Sequence, residues 1–386
     1  MSVSYNRKAL NSRTKSVASG HCQVRISSLR RYWLRREYRG SFMLWSRRLA
    51  FVVGCALLAS CGGGDSGGSP PATGGGGGTP TPTPSPSPTP TYSTIAQLTG
   101  NQQFESGCAY SLFSRAVSPN FTADSEIPFG ERTQLRFDAA ASTWSFVEGE
   151  LTNPSQQTVL TFGPADLAAS PPANTTLYRR VTAGRSLELA LRNGQQTGFA
   201  TEYLRTFLQT DIAAVGVADS DRTDRLCVYG VPTVAADTFP AGSVPYTSLN
   251  VLGTATLVSF GQRLGTYALT DSTATFAVNG QAGTVSMSIQ LVGREILADG
   301  SLATTTTALP ALTAGSGTIA NAGTPAIKLF EGNFTTGGIQ DIASKFAGSF
   351  FGPQGREAGF TFYARSPRLN ANGDNFEIAG VVVARR

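Results

Sequence analysis

Between positions 284 and 291 the chain alternates strictly. Val285, Met287, Ile289 and Leu291 are apolar, while Thr284, Ser286, Ser288 and Gln290 are polar. A period of two puts the first set on one face of a β-strand. Burying those four side chains contributes roughly 6–12 kcal/mol before entropy, and a one-residue slip would turn all four to water. Similar short segments recur at 133–138, 143–150, 158–162, 177–181, 187–193, 273–279, 327–334, 346–351, 359–364 and 376–383, separated by turn residues. This spacing predicts an all-β fold built from antiparallel sheet or barrel. Asn279-Gly280 reads as the turn before 284. The stretch TEYLRTFLQT at 201–210 fits either a strand or a short helix. Ile339, Ile342 and Phe346 in 337–347 have helical spacing and predict one or two helical turns.

The front of the chain follows other rules. Arg47 and Arg48 precede an apolar run at 49–58, small residues and then Cys61. The run is shorter than the ~20 residues needed to span a bilayer as a mature helix, and its order is that of a secretory signal. The ending Leu58-Ala59-Ser60-Cys61 resembles the lipobox of bacterial lipoproteins. The resemblance implies cleavage before Cys61 and lipidation of its thiol; an ordinary cleaved signal is the alternative. Residues 1–42 are Arg-rich and unpatterned, read as an upstream extension from a mis-assigned start or as a long positive leader. Residues 43–60 then form the signal peptide. Residues 61–92 carry the lipidated cysteine and a Gly-rich, then Thr-Pro and Ser-Pro, linker. Such a composition cannot bury a core. Its second half is a stiff spacer of about 3.1 Å per residue where polyproline-like.

That division changes the charge balance. The whole chain has 31 Lys and Arg against 25 Asp and Glu, but residues 1–60 hold 12 of the basic and one of the acidic residues, leaving 19 against 24. The mature part is acidic, and its charge gives no argument for nucleic acid as a partner. The single histidine, His21, falls in the discarded segment. Its loss excludes Ser-His-Asp and Cys-His catalysis, histidine-ligated haem and ordinary zinc sites.

Little catalytic chemistry remains. Asp219, Asp221 and Asp224 lack the glycine and terminal glutamate of a calcium loop, and Arg222 and Arg225 oppose a cation. Glu148 with Glu150, or Asp237 with a distant carboxylate, are the candidates for glycoside chemistry. Tyr92, Tyr110, Tyr178, Tyr203, Tyr229, Tyr246 and Tyr363 are either an aromatic recognition surface or half-buried strand residues. The remaining mature cysteines, Cys108 and Cys227, read as a disulfide in an exported chain or as two buried thiols. A bond between them would confine cross-linking to a first module and leave the chain after about 232 as a separate unit.

The stretch GSFFGPQGREAGF at 348–360 carries the most specific signal. Its Phe350, Phe351, Gly352, Pro353, Glu357 and Gly359 resemble the barrel motif of transferrin-binding-protein-B-like bacterial surface lipoproteins. The chain end Ile378–Val383, the Gly332-Asn333-Phe334 strand and the Val228–Thr233 junction are similar to that family as well. Ala358-Gly359 stands where the family usually has two glycines. The resemblance implies a β-rich handle module at 93–232 and an antiparallel barrel of about eight strands at 233–386. In that frame Phe350, Phe360 and Phe362 face the barrel interior. Arg356 and Glu357 sit at the turn edge, as a local ion pair or a strand-end contact.

These readings predict an outer-membrane, lipid-anchored, non-catalytic binding protein with no cofactor and no metal. Its partners are the membrane, through the anchor, and a host or environmental protein or a small nutrient of the iron or haem type. A periplasm-facing structural lipoprotein is the alternative, and a carboxylate-dependent hydrolase a more remote one.

Overall fold

The structure, a computed structural model, describes residues 90–113, 121–122, 126–196, 199–213, 221–259, 262–297, 301–323, 325–335, 343–366 and 375–386. The signal, Cys61, most of the linker and Asp219 lie outside them. The described residues belong to one compact unit that begins at Pro84. Among them the regular structure is β-strand, with short 3-10 turns and no α-helix.

The first sheet comprises β1 (Gln102–Phe113), β2 (Phe121–Thr122), β3 (Glu126–Ile127), β4 (Thr133–Asp138), β5 (Thr143–Gly149), β6 (Gln157–Phe162), β7 (Thr175–Thr182), β8 (Arg185–Arg192), β11 (Leu204–Ala213) and β12 (Arg222–Gly230). The small ribbon β9 (Gln195–Gln196) and β10 (Phe199–Ala200) stands apart. The main path runs β6-β5-β4-β1-β12-β11-β8-β7, with β2 and β3 against β1. It curls until β6 and β7 meet, and there Arg180 Nη1 donates to the Thr161 carbonyl at 2.9 Å. The handle is thus itself a nearly closed barrel. Phe104, Leu135, Phe146, Phe162, Leu189 and Phe207 fill it. Cys108 and Cys227 face each other across β1 and β12 and are joined by a disulfide at its centre.

The second sheet holds β13 (Ser243–Tyr246), β14 (Ser248–Ser259), β15 (Gln262–Ala268), β16 (Thr273–Asn279), β17 (Thr284–Gln290), β18 (Val292–Ile296), β19 (Leu302–Ala308), β20 (Leu312–Ala322), β21 (Ile327–Thr335), β22 (Ala343–Phe351), β23 (Glu357–Ser366) and β24 (Asn375–Arg385). These twelve segments behave as eight long strands, because pairing continues across the breaks. Tyr246 opposes Phe276 and Thr254 opposes Ala268 along one hairpin, so β13–β14 pairs with β15–β16. In the same way β17 continues into β18 and β19 into β20. The eight follow chain order, and β24 closes against β14 with Arg385 opposite Ser248. Among the described residues β13 and β19 pair on one side only, and the other ten segments pair on both.

The interior of this barrel is aromatic. Phe276, Phe330, Phe334, Phe346, Phe350, Phe360, Phe362 and Phe376 are buried in one cluster with Val285, Met287, Ile289 and Leu291. Ring centroids lie 4.8 Å apart for Phe330–Phe350, 5.1 Å for Phe334–Phe346 and 5.3 Å for Phe276–Phe360. Offset and edge-to-face pairs at such spacing add to the burial term. Val285 and its three partners face this core, as their alternation requires.

One open reading is settled and two local expectations are corrected. TEYLRTFLQT is strand from Leu204 onward, because its backbone pairs on both sides with β8 and β12. Residues 343–347 of the expected helical segment belong to β22, while 337–342 lie outside the described residues. The loop after Asn279 spans four residues, and Gly283, at φ 66°, takes the left-handed conformation instead of Gly280. Asn279 still shapes the turn: its Oδ1 accepts the Ala282 amide at 2.9 Å.

Candidate functional site

The 346–362 hairpin sits where handle and barrel join. Alternation along β22 sends Phe350 into the barrel and Phe351 out of it, against the handle. The Phe351 ring packs edge-on against Phe129, with centroids 5.5 Å apart. Around this pair Ala109, Tyr203, Leu204 and Val228 of the handle pack on Ala379, Val381 and Val383 of the barrel wall. The two sheets therefore share a buried apolar interface, and the part after about 232 is packed against the first module instead of standing separately.

Backbone geometry explains the glycines. Gly352 has φ 69°, a left-handed conformation, and a β-carbon there would lie 2.5 Å from the Tyr203 ring. At Gly359 a β-carbon would lie 2.9 Å from the Leu204 side chain. Both positions let a strand of one sheet approach the other more closely than a side chain allows. Pro353 opens a 3-10 turn to Gly355, and Gln354 also holds a left-handed φ of 54°. That strained amide is captured: Gln354 N–H donates to Asp237 Oδ2 at 2.6 Å.

Asp237 is the hub of a small network. It is 5% exposed, accepts the Tyr92 hydroxyl at 3.0 Å and takes the Thr238 amide at 2.9 Å. The Tyr92 oxygen in turn accepts the Val234 amide at 3.1 Å. Burial, with the nearby Asp237 carboxylate, pushes the Tyr92 phenol up to about 12. Thr233 seals the other side, its hydroxyl donating to the Gly352 carbonyl at 2.6 Å and its amide to the Phe350 carbonyl at 2.7 Å. The chain thus enters the folded body beside the Gly352–Arg356 turn.

Glu357 makes the central contact. Its carboxylate is fully buried and accepts the amides of Glu202 at 2.7 Å and Tyr203 at 2.9 Å. Burial raises its pKa, and the amides of Glu202, Tyr203 and Leu204 pull it back. A carboxylate that takes a row of backbone donors satisfies groups the handle leaves unpaired at the start of β11. Of the two turn-edge readings, the strand-end contact fits Glu357, which opens β23, and the local ion pair does not. Arg356 and Glu357 do not pair with each other; Arg356 forks onto Glu202, with nitrogens 3.1 and 3.2 Å from its two oxygens. The signal missed in the sequence was the TEYL stretch, whose amides receive Glu357.

A second polar bridge lies further along the interface. Lys345 of β22 contacts Glu126 of β3 at 2.9 Å and Glu331 of β21 at 3.1 Å. Burial raises the Glu126 pKa to about 7, against the pull of Lys345.

Of the carboxylates considered for hydrolysis, Glu148 pairs with Arg225 at 2.7 Å and Glu150 accepts the Thr152 hydroxyl at 3.2 Å. Asp224, considered for calcium, pairs with Arg222 at 2.9 Å. Asp237 holds the hairpin as described. Among the described residues no cluster of His, Cys, Asp and Glu is arranged to hold a metal. Tyr229 and Tyr246 are buried in the two cores, and Tyr92 and Tyr203 stack edge-on at the joint with centroids 6.4 Å apart. Those four are structural and leave no aromatic recognition surface among themselves.

No protein-family model matches the chain, and no curated protein is significantly similar in sequence. Among solved structures it is similar to a double mutant of the vaccine antigen transferrin binding protein B from Haemophilus parasuis Hp5, at 10% identity over 74% of this chain and 76% of that one, TM-score 0.33. It is similar to isotype 1 transferrin binding protein B from serogroup B Neisseria meningitidis, at 10% identity over 74% and 77%, TM-score 0.26. A protein of unknown function from the DUF3598 family of Nostoc punctiforme is similar at 12% identity over 73% and 95%, TM-score 0.18. Each is a likeness at low identity and none assigns this chain to a family.

Proposed function

We propose that the protein is an outer-membrane lipoprotein whose body is a non-catalytic binding module, carried on a lipid anchor at Cys61 and presenting its far rim to a protein partner. The observation that carries this reading is the placement of the chain's entry. Tyr92 docks on Asp237 beside the Gln354 turn, at one end of the barrel. The strand ends Ser259 and Gln262, Thr335 and Ala343, and Ser366 and Asn375 lie at the other end. In this reading these connections lie at the end of the body opposite its tether. The same direction holds for the handle, since Ser111 near the end of β1 meets Thr254 at 3.4 Å and Glu126 meets Lys345.

The packed interior favours a protein over a small nutrient. Phenylalanine rings occupy the space in which a lipocalin-like barrel would hold a ligand. Recognition then falls on loops and outer faces, which suits a large partner. The Cys108–Cys227 bond braces the first sheet, and the Glu357 latch and the apolar joint hold the two sheets together as a support for such loops.

Protease treatment of intact cells tests the reading. The body should be digested on whole cells. Survival on intact cells, with loss only after lysis, would favour the periplasm-facing structural role instead.

A further inference from the structure

The handle curls into a barrel without closing by a backbone ladder. β6 and β7 end its path. Among the described residues the hydrogen bond that joins them is the Arg180 donation to the Thr161 carbonyl. The same guanidinium stands 4.0 Å from Asp166 and 5.5 Å from the Phe162 ring centroid. Alternate residues of an edge strand turn both backbone groups outward. On β7 the Leu177 carbonyl takes the Ala168 amide at 2.8 Å, and Leu167 bridges to Tyr178. The chain after β6 thus already lies along the lower part of the β7 edge as an added strand. Arg179 and Val181, two and four residues beyond Leu177, face the same way, and no backbone partner meets them among the described residues. On β6 the Thr161 carbonyl faces the seam, so the Val159 backbone does as well. The two valines are also exposed, Val159 by 51% and Val181 by 62%.

An unpaired strand edge with apolar side chains is a template for another chain. Neither β6 nor β7 carries the proline or lysine that commonly blocks such an edge. The charge beside it is cationic. Arg179 pairs with Glu188, Arg180 with Asp166 and Arg185 with Asp211, and in each pair the guanidinium is the more exposed member. An acidic segment complements that face. We propose that the seam between β6 and β7 receives an extended, acid-flanked segment of the protein partner as an added strand, the Arg180 contact giving way to a backbone ladder. The inference rests on the protein-binding reading above and gives it a mode: backbone pairing along Arg179–Thr182 supplies the hold, and Val159 and Val181 favour an apolar residue beside them.

Fluorescence anisotropy on the purified full chain tests it, with a labelled peptide of alternating valine and threonine flanked by glutamates, and the same peptide flanked by lysines. The glutamate peptide should bind saturably and about tenfold more tightly than the lysine one. Amide exchange at Val159, Arg179 and Val181 should slow in the complex. Val181→Pro removes an outward N–H and leaves the β7–β8 ladder its bonds; it should weaken binding by about tenfold or more, whereas Val181→Thr should still bind. Should Val181→Pro fail to fold, a peptide N-methylated on alternate amides decides: equal binding overturns the added strand, and lost binding supports it. Absence of saturable binding to the wild type overturns the proposal, as does equal affinity in a folded Val181→Pro. A dimer in sedimentation velocity that Val181→Pro dissociates would give the edge to a second copy and overturn the partner strand. The assay needs neither anchor nor cell, so its failure removes the edge and leaves the whole-cell protease result to judge surface binding.

Discussion

The carboxylate of Glu357 in the barrel accepts the backbone N–H of Tyr203 in the handle at 2.9 Å, across 154 residues of sequence. Together with the Glu202 amide at 2.7 Å, this contact turns a hairpin residue into the latch between two sheets. Glu357→Ala leaves those amides buried without acceptors, and each such orphan costs about 1–3 kcal/mol. Urea unfolding should show a loss of roughly 2–5 kcal/mol by that reckoning. Glu357→Gln, which keeps one acceptor oxygen, should lose less. Equal stability of the alanine variant and the wild type would remove the latch from the account.

Gly352 makes a sharper geometric demand. Its φ of 69° and the Tyr203 ring 2.5 Å from a would-be β-carbon act together. Gly352→Ala should cost about 2–4 kcal/mol, from left-handed strain and overpacking combined. In the Tyr203→Ala background the clash is relieved and only the strain persists. A double-mutant cycle of thermal unfolding should therefore show strong coupling between the two sites; simple additivity would contradict the packing described here.

The Lys345 bridge predicts a pH response. Glu126 has its folded pKa raised from 4.5 to about 7. For an acid raised in this way, the folded state binds the proton more tightly than the unfolded chain. Stability is complete below the unfolded pKa and is lost as pH climbs through the folded one. Denaturation midpoints should fall between pH 4.5 and about 7, by at most about 1.4 kcal/mol per pH unit from this group. Glu126→Gln should remove that part of the slope. Lys345→Met should extend the slope above pH 7, because it removes the cation that holds the pKa down. An Glu126→Gln profile identical to the wild type would contradict this assignment.

The Cys108–Cys227 bond closes a loop with a sequence separation of 119. On chain-entropy grounds its removal should cost about 4–5 kcal/mol. Chemical denaturation with and without reductant, set beside the Cys108→Ser, Cys227→Ser double variant, measures this. Identical curves would show that the crosslink does not constrain the unfolded chain.

Alternation made the strands with one wet face legible in advance. Val285 to Leu291 and the segments at 133–138 and 273–279 were readable because the opposite faces differ in polarity. TEYLRTFLQT stayed ambiguous because Leu204, Phe207 and Leu208 sit at helical spacing, and only pairing with β8 and β12 decides for strand. The Gly-Pro hairpin showed its turn, its inward phenylalanines and its glycines. It did not show what the glycines approach, since Tyr203 and Leu204 lie about 150 residues away in sequence. For the same reason Glu357 read as an edge residue: its partners are backbone amides, which carry no side-chain signature.

The most direct test of the central claim, that a lipid-held stalk carries this body, is mass spectrometry of the amino terminus of the protein purified from membranes. The account predicts a chain that begins at Cys61 and bears acyl groups on that residue. An intact terminus at Met1 or Met43, or an unmodified Cys61, would contradict it.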